Sequence, residues 1–143
     1  MNVLLSFVHE DTELARRITL KLQAASCNVA EDVVENSGPA FVDRVKEATS
    51  HGALTHPVLV LLVTVNALNN PSALRDWADA ITYESLHGSG VVWPVVIDDL
   101  EIPVALKNIT HIRVKTGVVP EDVAARIIDA VGYSEDRPRE HPS

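Results

Sequence analysis

The segment HPVLVLLVT, residues 56–64, decides the fold of this chain. Val58–Val63 is an unbroken run of valine and leucine, so an extended chain here presents apolar side chains on both of its faces. A strand that is apolar on both faces is covered on both sides, which is typical of the centre of a parallel sheet. We therefore predict that residues 56–64 form a central strand.

The sequence on either side alternates between strand patterns and helix patterns. Further strands are predicted at residues 2–8, 28–32, 91–98 and 111–115, and helices with one apolar face at 10–25, 40–50, 72–86 and from Pro120 onward. Pro94 lacks a backbone N–H, which places the fourth strand near an edge or an irregularity of the sheet. The alternation predicts an α/β fold, a five-stranded parallel sheet with helices on both faces. Right-handed crossovers favour the strand order 2-1-3-4-5, with a ligand crevice at the carboxyl ends of strands one and three.

Composition narrows the class of protein. The chain has 143 residues, which suits one domain over residues 1–133, and residues 134–143 hold two prolines and mixed charges that predict a flexible tail or linker. A net charge of −8 argues against a nucleic-acid partner and against an anionic membrane surface. The single cysteine, Cys27, cannot form an internal disulfide, so we expect a reducing, cytoplasmic setting with Cys27 in the core.

The absence of several sequence motifs disfavours nucleotide-binding, metal and phosphoacceptor sites. The sequence contains no GxGxxG and no GxxxxGK[ST], and its six histidines show no metal-ligand spacing, so we expect no metal and no resident cofactor. A phosphoacceptor receiver domain shares the predicted strand order. Its acceptor aspartate would stand at the end of the third strand, where this chain has LLVTVN and no carboxylate. That alternative is therefore disfavoured.

Four segments, spanning about residues 1–132, resemble the Toll/interleukin receptor (TIR) domain. They are VLLSFVHEDTELARRITLKLQAA at 3–25, AEDVVENSGPAFVDRVKEA at 30–48, VLVLLVTVNALNNPSALRDWADA at 58–80 and VVWPVVIDDLEIPVAL at 91–106. The resemblance implies a flavodoxin-like TIR fold, and the short form without insertions is similar to prokaryotic members. It also implies a signalling protein of innate immunity or stress, which assembles with other TIR domains or with a fused or partner effector.

TIR domains use the crevice in two ways, and the resemblance leaves both open here. Some cleave NAD⁺ between ribose and nicotinamide once assembled, with a glutamate near the start of the third helix as the carboxylate beside the ribose. Others are scaffolds that only recruit partners. Counting from Thr64, the glutamate position falls on Asp76, and a shift of one residue would place Trp77 there. NAD⁺ is thus implied as a possible substrate, with Asp76 as the catalytic residue.

The other candidate residues flank the predicted crevice. Asp11 or Thr12 can cap the first helix, and a glycine at 38 permits a positive φ in the loop after strand two. Asp76 has an alternative role as an acidic residue favoured by the helix dipole. The residues expected to line an NAD⁺ site are Ser6, Phe7, His9, Ser37, Gly38 and Trp77.

Overall fold

A five-stranded parallel sheet forms the centre of the molecule, with the order β2-β1-β3-β4-β5 that the sequence predicts. The computed structural model describes residues 1–36, 38–50, 54–88, 90–115 and 117–136. The strands are β1 Asn2–Val8, β2 Asn28–Val34, β3 Val58–Val63, β4 Val92–Ile97 and β5 Ile112–Val114. All four neighbouring pairs are parallel.

The predicted central strand is confirmed. β3 lies between β1 and β4, and all six of its residues are buried. β4 carries Pro94, which pairs with Leu61 of β3, whereas the ladder to the three-residue edge strand β5 begins at Val95. The proline therefore lies beside the short edge of the sheet, where a missing N–H is tolerated.

Helices cover both faces of the sheet. They are α1 Thr12–Ala24, α2 Phe41–Ser50, α3 Val65–Leu68, α4 Pro71–His87 and α5 Pro120–Asp136, with 3₁₀ turns at His9–Asp11 and Val104–Leu106. One buried cluster joins α1 and α5 to the odd-numbered residues of β1, and a second joins α2 and α4 to Leu4 and Val8. Cys27 is buried, as expected, in the first cluster.

Two details differ from the sequence prediction. A short helix, α3, lies between the predicted strand at 56–64 and the predicted helix at 72–86, and the hydroxyl of Thr64 caps it by accepting from the N–H of Ala67 at 3.1 Å. α5 extends to Asp136, and residues 137–143 of the predicted tail lie outside the described residues. Among the described residues, none of the helices is both long enough and apolar enough to cross a membrane.

Candidate functional site: buried carboxylates at the carboxyl edge of the sheet

The α2/α4 side of the sheet carries a line of polar side chains between β1 and α4. Ser6 and Asp32 are register partners on β1 and β2, and the Ser6 hydroxyl donates to Asp32 Oδ2 at 3.0 Å. Asp32 in turn accepts from Arg44 on α2, and Arg44 also donates to Asp76 on α4. We call Asp32, Arg44 and Asp76 the aspartate–arginine triad.

Arg44 uses every N–H of its guanidinium. Nε and Nη2 donate to the two oxygens of Asp32 at 2.8 and 3.0 Å. Nη2 and Nη1 donate to the two oxygens of Asp76 at 2.5 and 3.5 Å, and Nη1 also donates to the carbonyl of Pro39 at 2.9 Å. A guanidinium has five N–H groups, so its donor capacity is filled. The guanidinium also lies 5.4 Å from the centroid of the Phe41 ring.

Helical periodicity explains why these charges are buried. On α2, Arg44 shares a face with Phe41 and Val45, which are buried. On α4, Asp76 shares a face with Ala73, Trp77 and Ala80, which are also buried. Arg44 and Asp76 thus both face the sheet, and they meet because α2 and α4 pack on the same side. Asn70 begins α4 by accepting from the N–H groups of Ser72 and Ala73, which fixes where Asp76 falls.

The electrostatics of the triad follow from one cation facing two anions. The side chains of Arg44, Asp32 and Asp76 are 15%, 9% and 8% exposed. Burial raises the pKa of the Asp76 carboxyl above its ordinary value, and the hydrogen bonds from Arg44 oppose that rise. Burial also acts to lower the pKa of Arg44, but its bonds to the two aspartates outweigh burial and raise that pKa. Arg44 stays protonated, and its single charge is shared between two carboxylates.

A second polar contact joins the ends of β1 and β3. Asp11, in the turn after β1, accepts from the Thr64 hydroxyl and from Asn66 Nδ2, the latter at 2.9 Å. The prediction that the Asp11 side chain caps α1 is wrong, because it makes no capping hydrogen bond and is turned toward β3. Thr12 instead donates to the carbonyl of His9 at 2.6 Å. Asp11 therefore fixes the spacing of the two strand ends that border the crevice.

The structure brings together only some of the residues that the sequence proposed. Ser6 and Asp76 are both buried and are connected through Asp32 and Arg44. Phe7 packs in the core on the opposite face, among α1 and α5, because successive residues of a strand point to opposite sides. Trp77 packs in the core on the α2/α4 side and is 3% exposed.

The remaining candidates lie at the surface or outside the described residues. His9 is exposed in the turn after β1, and Gly38 is exposed before α2. Gly38 is not among the glycines with positive φ, so the conformational role predicted for it is wrong. Ser37 lies outside the described residues.

Sequence reasoning missed Asp32 and Arg44. A signal was present, since Arg44 is a charged residue on the apolar face formed by Phe41 and Val45, and Asp76 interrupts the apolar face of α4 in the same way. Buried charges require partners, so two lone buried charges of opposite sign on neighbouring helices predict a pair. Within the described part of the chain, no group of three or more histidine, cysteine, aspartate or glutamate side chains is arranged to hold a metal ion.

A separate cavity lies at the other edge of the sheet. It measures about 460 Å³ and is lined by Trp93 and Ile112, near the amino ends of β4 and β5, and by Arg126 and Asp129 of α5. It is separate from the triad.

Comparison with known proteins places this architecture in a family. The family model described as "TIR domain" matches residues 3–128, which includes every strand of the sheet and the triad. The chain belongs to the TIR domain family. No curated protein matches this TIR domain in a sequence search.

Among solved structures, the TIR domain resembles a response regulator receiver domain protein (CheY-like) from Methanospirillum hungatei JF-1. The TM-score is 0.55 at 15% identity, over 95% of this chain and 98% of that chain. This likeness shows the shared flavodoxin-like fold alone. In the TIR domain, β3 is followed by Thr64, whose hydroxyl is bonded to Asp11.

Proposed function

We propose that this TIR domain is a signalling module that cleaves NAD⁺ when it is assembled, with Asp76 as the carboxylate beside the ribose. The observation that supports this proposal is the burial of Asp76. It is only 6% exposed and faces the sheet beside a second carboxylate, Asp32. An acidic residue that only favours the helix dipole would lie in solvent.

The chemistry requires a carboxylate and little else. The bond between ribose C1′ and the nicotinamide nitrogen breaks, and its electron pair leaves with neutral nicotinamide. The ribose becomes oxocarbenium-like, and a nearby carboxylate stabilises its positive charge and binds its hydroxyls. Water then adds at C1′ and releases a proton. Asp76 would supply that carboxylate, from a side chain one methylene shorter than the glutamate that the family resemblance implies.

The shorter side chain predicts weak activity. Its carboxylate is set back by about 1 Å, and a misplacement of that size can cost on the order of 10²-fold in rate. We therefore expect Asp76→Glu to raise nicotinamide release by about 10-fold or more, and Asp76→Ala to abolish it while the protein stays folded.

A scaffold that recruits partners without catalysis is the second candidate, and a specific observation favours it. Both carboxylate oxygens of Asp76 accept hydrogen bonds from Arg44, so in this conformation Asp76 belongs to an internal ion cluster. Phe7 and Trp77, expected to line an NAD⁺ site, are instead packed in the core. In this second function Asp76 has a structural role alone, as the second carboxylate that accepts from Arg44.

The deciding experiment is an NAD⁺ consumption assay on the full chain fused to an oligomerising domain. Wild type, Asp76→Ala and Asp76→Glu are compared side by side, with folding checked by circular dichroism. Nicotinamide release by wild type and Asp76→Glu, lost in Asp76→Ala, supports the enzyme. No release by either wild type or Asp76→Glu refutes it and leaves the scaffold.

We further propose that the partners are other TIR domains, or an effector fused to or recruited by this one, in a cytoplasmic pathway of immunity or stress. The family membership supports this proposal. The net charge of −8 implies repulsion between copies, so association would need clustering by another domain or by a partner.

A further inference from the structure

The hydrogen-bonding sites of Asp76 are already occupied. Its two oxygens accept from Arg44 Nη2 at 2.5 Å and Nη1 at 3.5 Å. A ribose bound beside Asp76 would need the same oxygens, both for its hydroxyls and for the positive charge that develops as nicotinamide leaves. The guanidinium offers Asp76 the same two features, N–H donors and positive charge. Arg44 and a ribose therefore compete for one carboxylate.

Arg44 contacts Asp32 with a more regular geometry than it contacts Asp76. The two bonds to Asp32, at 2.8 and 3.0 Å, form a side-on bidentate pair, and Asp32 is itself held by Ser6. Of the two bonds to Asp76, one is short and one, at 3.5 Å, is at the limit of a hydrogen bond. A guanidinium held by Asp32 and by the carbonyl of Pro39 stays in place, so its contact with Asp76 is lost when the Asp76 side chain and the guanidinium are displaced relative to each other.

We propose that Arg44 is an autoinhibitory residue, which holds Asp76 in the triad and keeps the unassembled domain from cleaving NAD⁺. This inference rests on the proposed function and adds its regulation. Asp32 is then a positioning residue, because it acts on Asp76 only through Arg44. Activation requires the Asp76 carboxylate and the guanidinium of Arg44 to separate, so that both oxygens of Asp76 become available to a ribose.

The test removes the guanidinium without clustering the protein. Arg44→Gln keeps a polar side chain but loses the charge, and Arg44→Gln/Asp32→Asn also neutralises the carboxylate that would be left unpaired. Arg17→Gln is the matched control, because Arg17 donates to Glu121 in an exposed ion pair between α1 and α5, away from the triad. Nicotinamide release is measured at about pH 8, because a higher pH favours the ionised form of a carboxyl whose pKa is raised.

Both Arg44 variants should release nicotinamide at least about 10-fold faster than unclustered wild type, which is well above assay error. Arg17→Gln should match wild type. If clustered wild type cleaves NAD⁺ and the folded Arg44 variants are no faster than unclustered wild type, autoinhibition by Arg44 is wrong and the proposed function stands. If neither clustered wild type nor any variant cleaves NAD⁺, both are wrong.

A second measurement does not depend on catalysis. The Asp76 carboxyl carbon is titrated by NMR in wild type and in both Arg44 variants. The charged groups that act on Asp76 are Arg44 on α2, Asp32 on β2 and Asp79 on its own helix. Loss of the guanidinium in Arg44→Gln should raise the pKa of Asp76 further. Arg44→Lys keeps a positive charge at this position, so the pKa of Asp76 should be lower in Arg44→Lys than in Arg44→Gln. An unchanged pKa in Arg44→Gln would show that Arg44 does not hold Asp76 in solution and would overturn the inference.

Discussion

Replacing Arg44 by glutamine should destabilise the fold more than the loss of any exposed charge. The change removes one cation that serves two buried carboxylates, which are 9% and 8% exposed, and glutamine can replace at most two of the five N–H groups. Removing one partner of a buried ion pair costs about 3–5 kcal/mol, because it leaves an uncompensated buried charge. The partial exposure of Arg44 places the expected loss at about 3 kcal/mol at neutral pH.

The loss should depend on pH in a direction fixed by the triad. Without Arg44, the pKa of Asp76 rises further, because burial is no longer opposed by the hydrogen bonds of the guanidinium. The folded variant then binds protons more tightly than its unfolded chain does, so its free energy of unfolding increases as the pH falls. The destabilisation relative to wild type should therefore be larger near pH 7.5 than near pH 5.

Urea unfolding followed by circular dichroism measures both effects. With an m-value of about 2 kcal/mol/M, a loss of about 3 kcal/mol lowers the urea midpoint by about 1.5 M. Arg17→Gln serves as the control, and its midpoint should stay close to that of wild type because exposed ion pairs contribute little. The reasoning is refuted if Arg44→Gln behaves like Arg17→Gln, or if its destabilisation is the same at both pH values.

Three further outcomes follow from the same contacts. The pKa of Asp76 in the folded protein is raised above its ordinary value of 3.8. The free energy of unfolding of wild type should therefore fall, relative to that of Asp76→Asn, as the pH rises from about 4 through the pKa of Asp76 in the folded protein. Urea titrations of the two proteins at several pH values measure this difference. Ser6→Ala should cost about 1–3 kcal/mol, since Asp32 loses a buried hydroxyl donor, and Ser6→Thr should recover part of that loss in the same unfolding assay. Self-association of the separate domain should be weak and should strengthen with salt, because salt screens the repulsion between chains of charge −8; a tight oligomer at low salt in light scattering would contradict this.

The sequence alone was sufficient to predict the architecture of the sheet. The Val and Leu run of β3 is typical of the centre of a parallel sheet, and the alternation of strand and helix patterns favoured the strand order 2-1-3-4-5, which the structure confirms. Such patterns are local, since each depends on which face of one element is apolar. The sequence also proposed Asp76 as a candidate catalytic residue, because of its position in the family pattern. It did not indicate which residues Asp76 contacts.

The contacts of the site were decided by the tertiary structure. Asp32 and Arg44 are separated by 12 residues and Arg44 and Asp76 by 32, and they meet because α2 and α4 pack on the face of the sheet toward which Asp32 of β2 points. The Asp11 side chain makes no capping hydrogen bond and instead accepts from Thr64, which is 53 residues away and belongs to the neighbouring strand end. Phe7 was placed in the crevice by its position in the chain, yet the alternation of side chains along β1 turns it to the opposite face. Hydrogen bonds between buried charges depend on distance in space, and the order of residues along the chain does not determine that distance until the helices are packed.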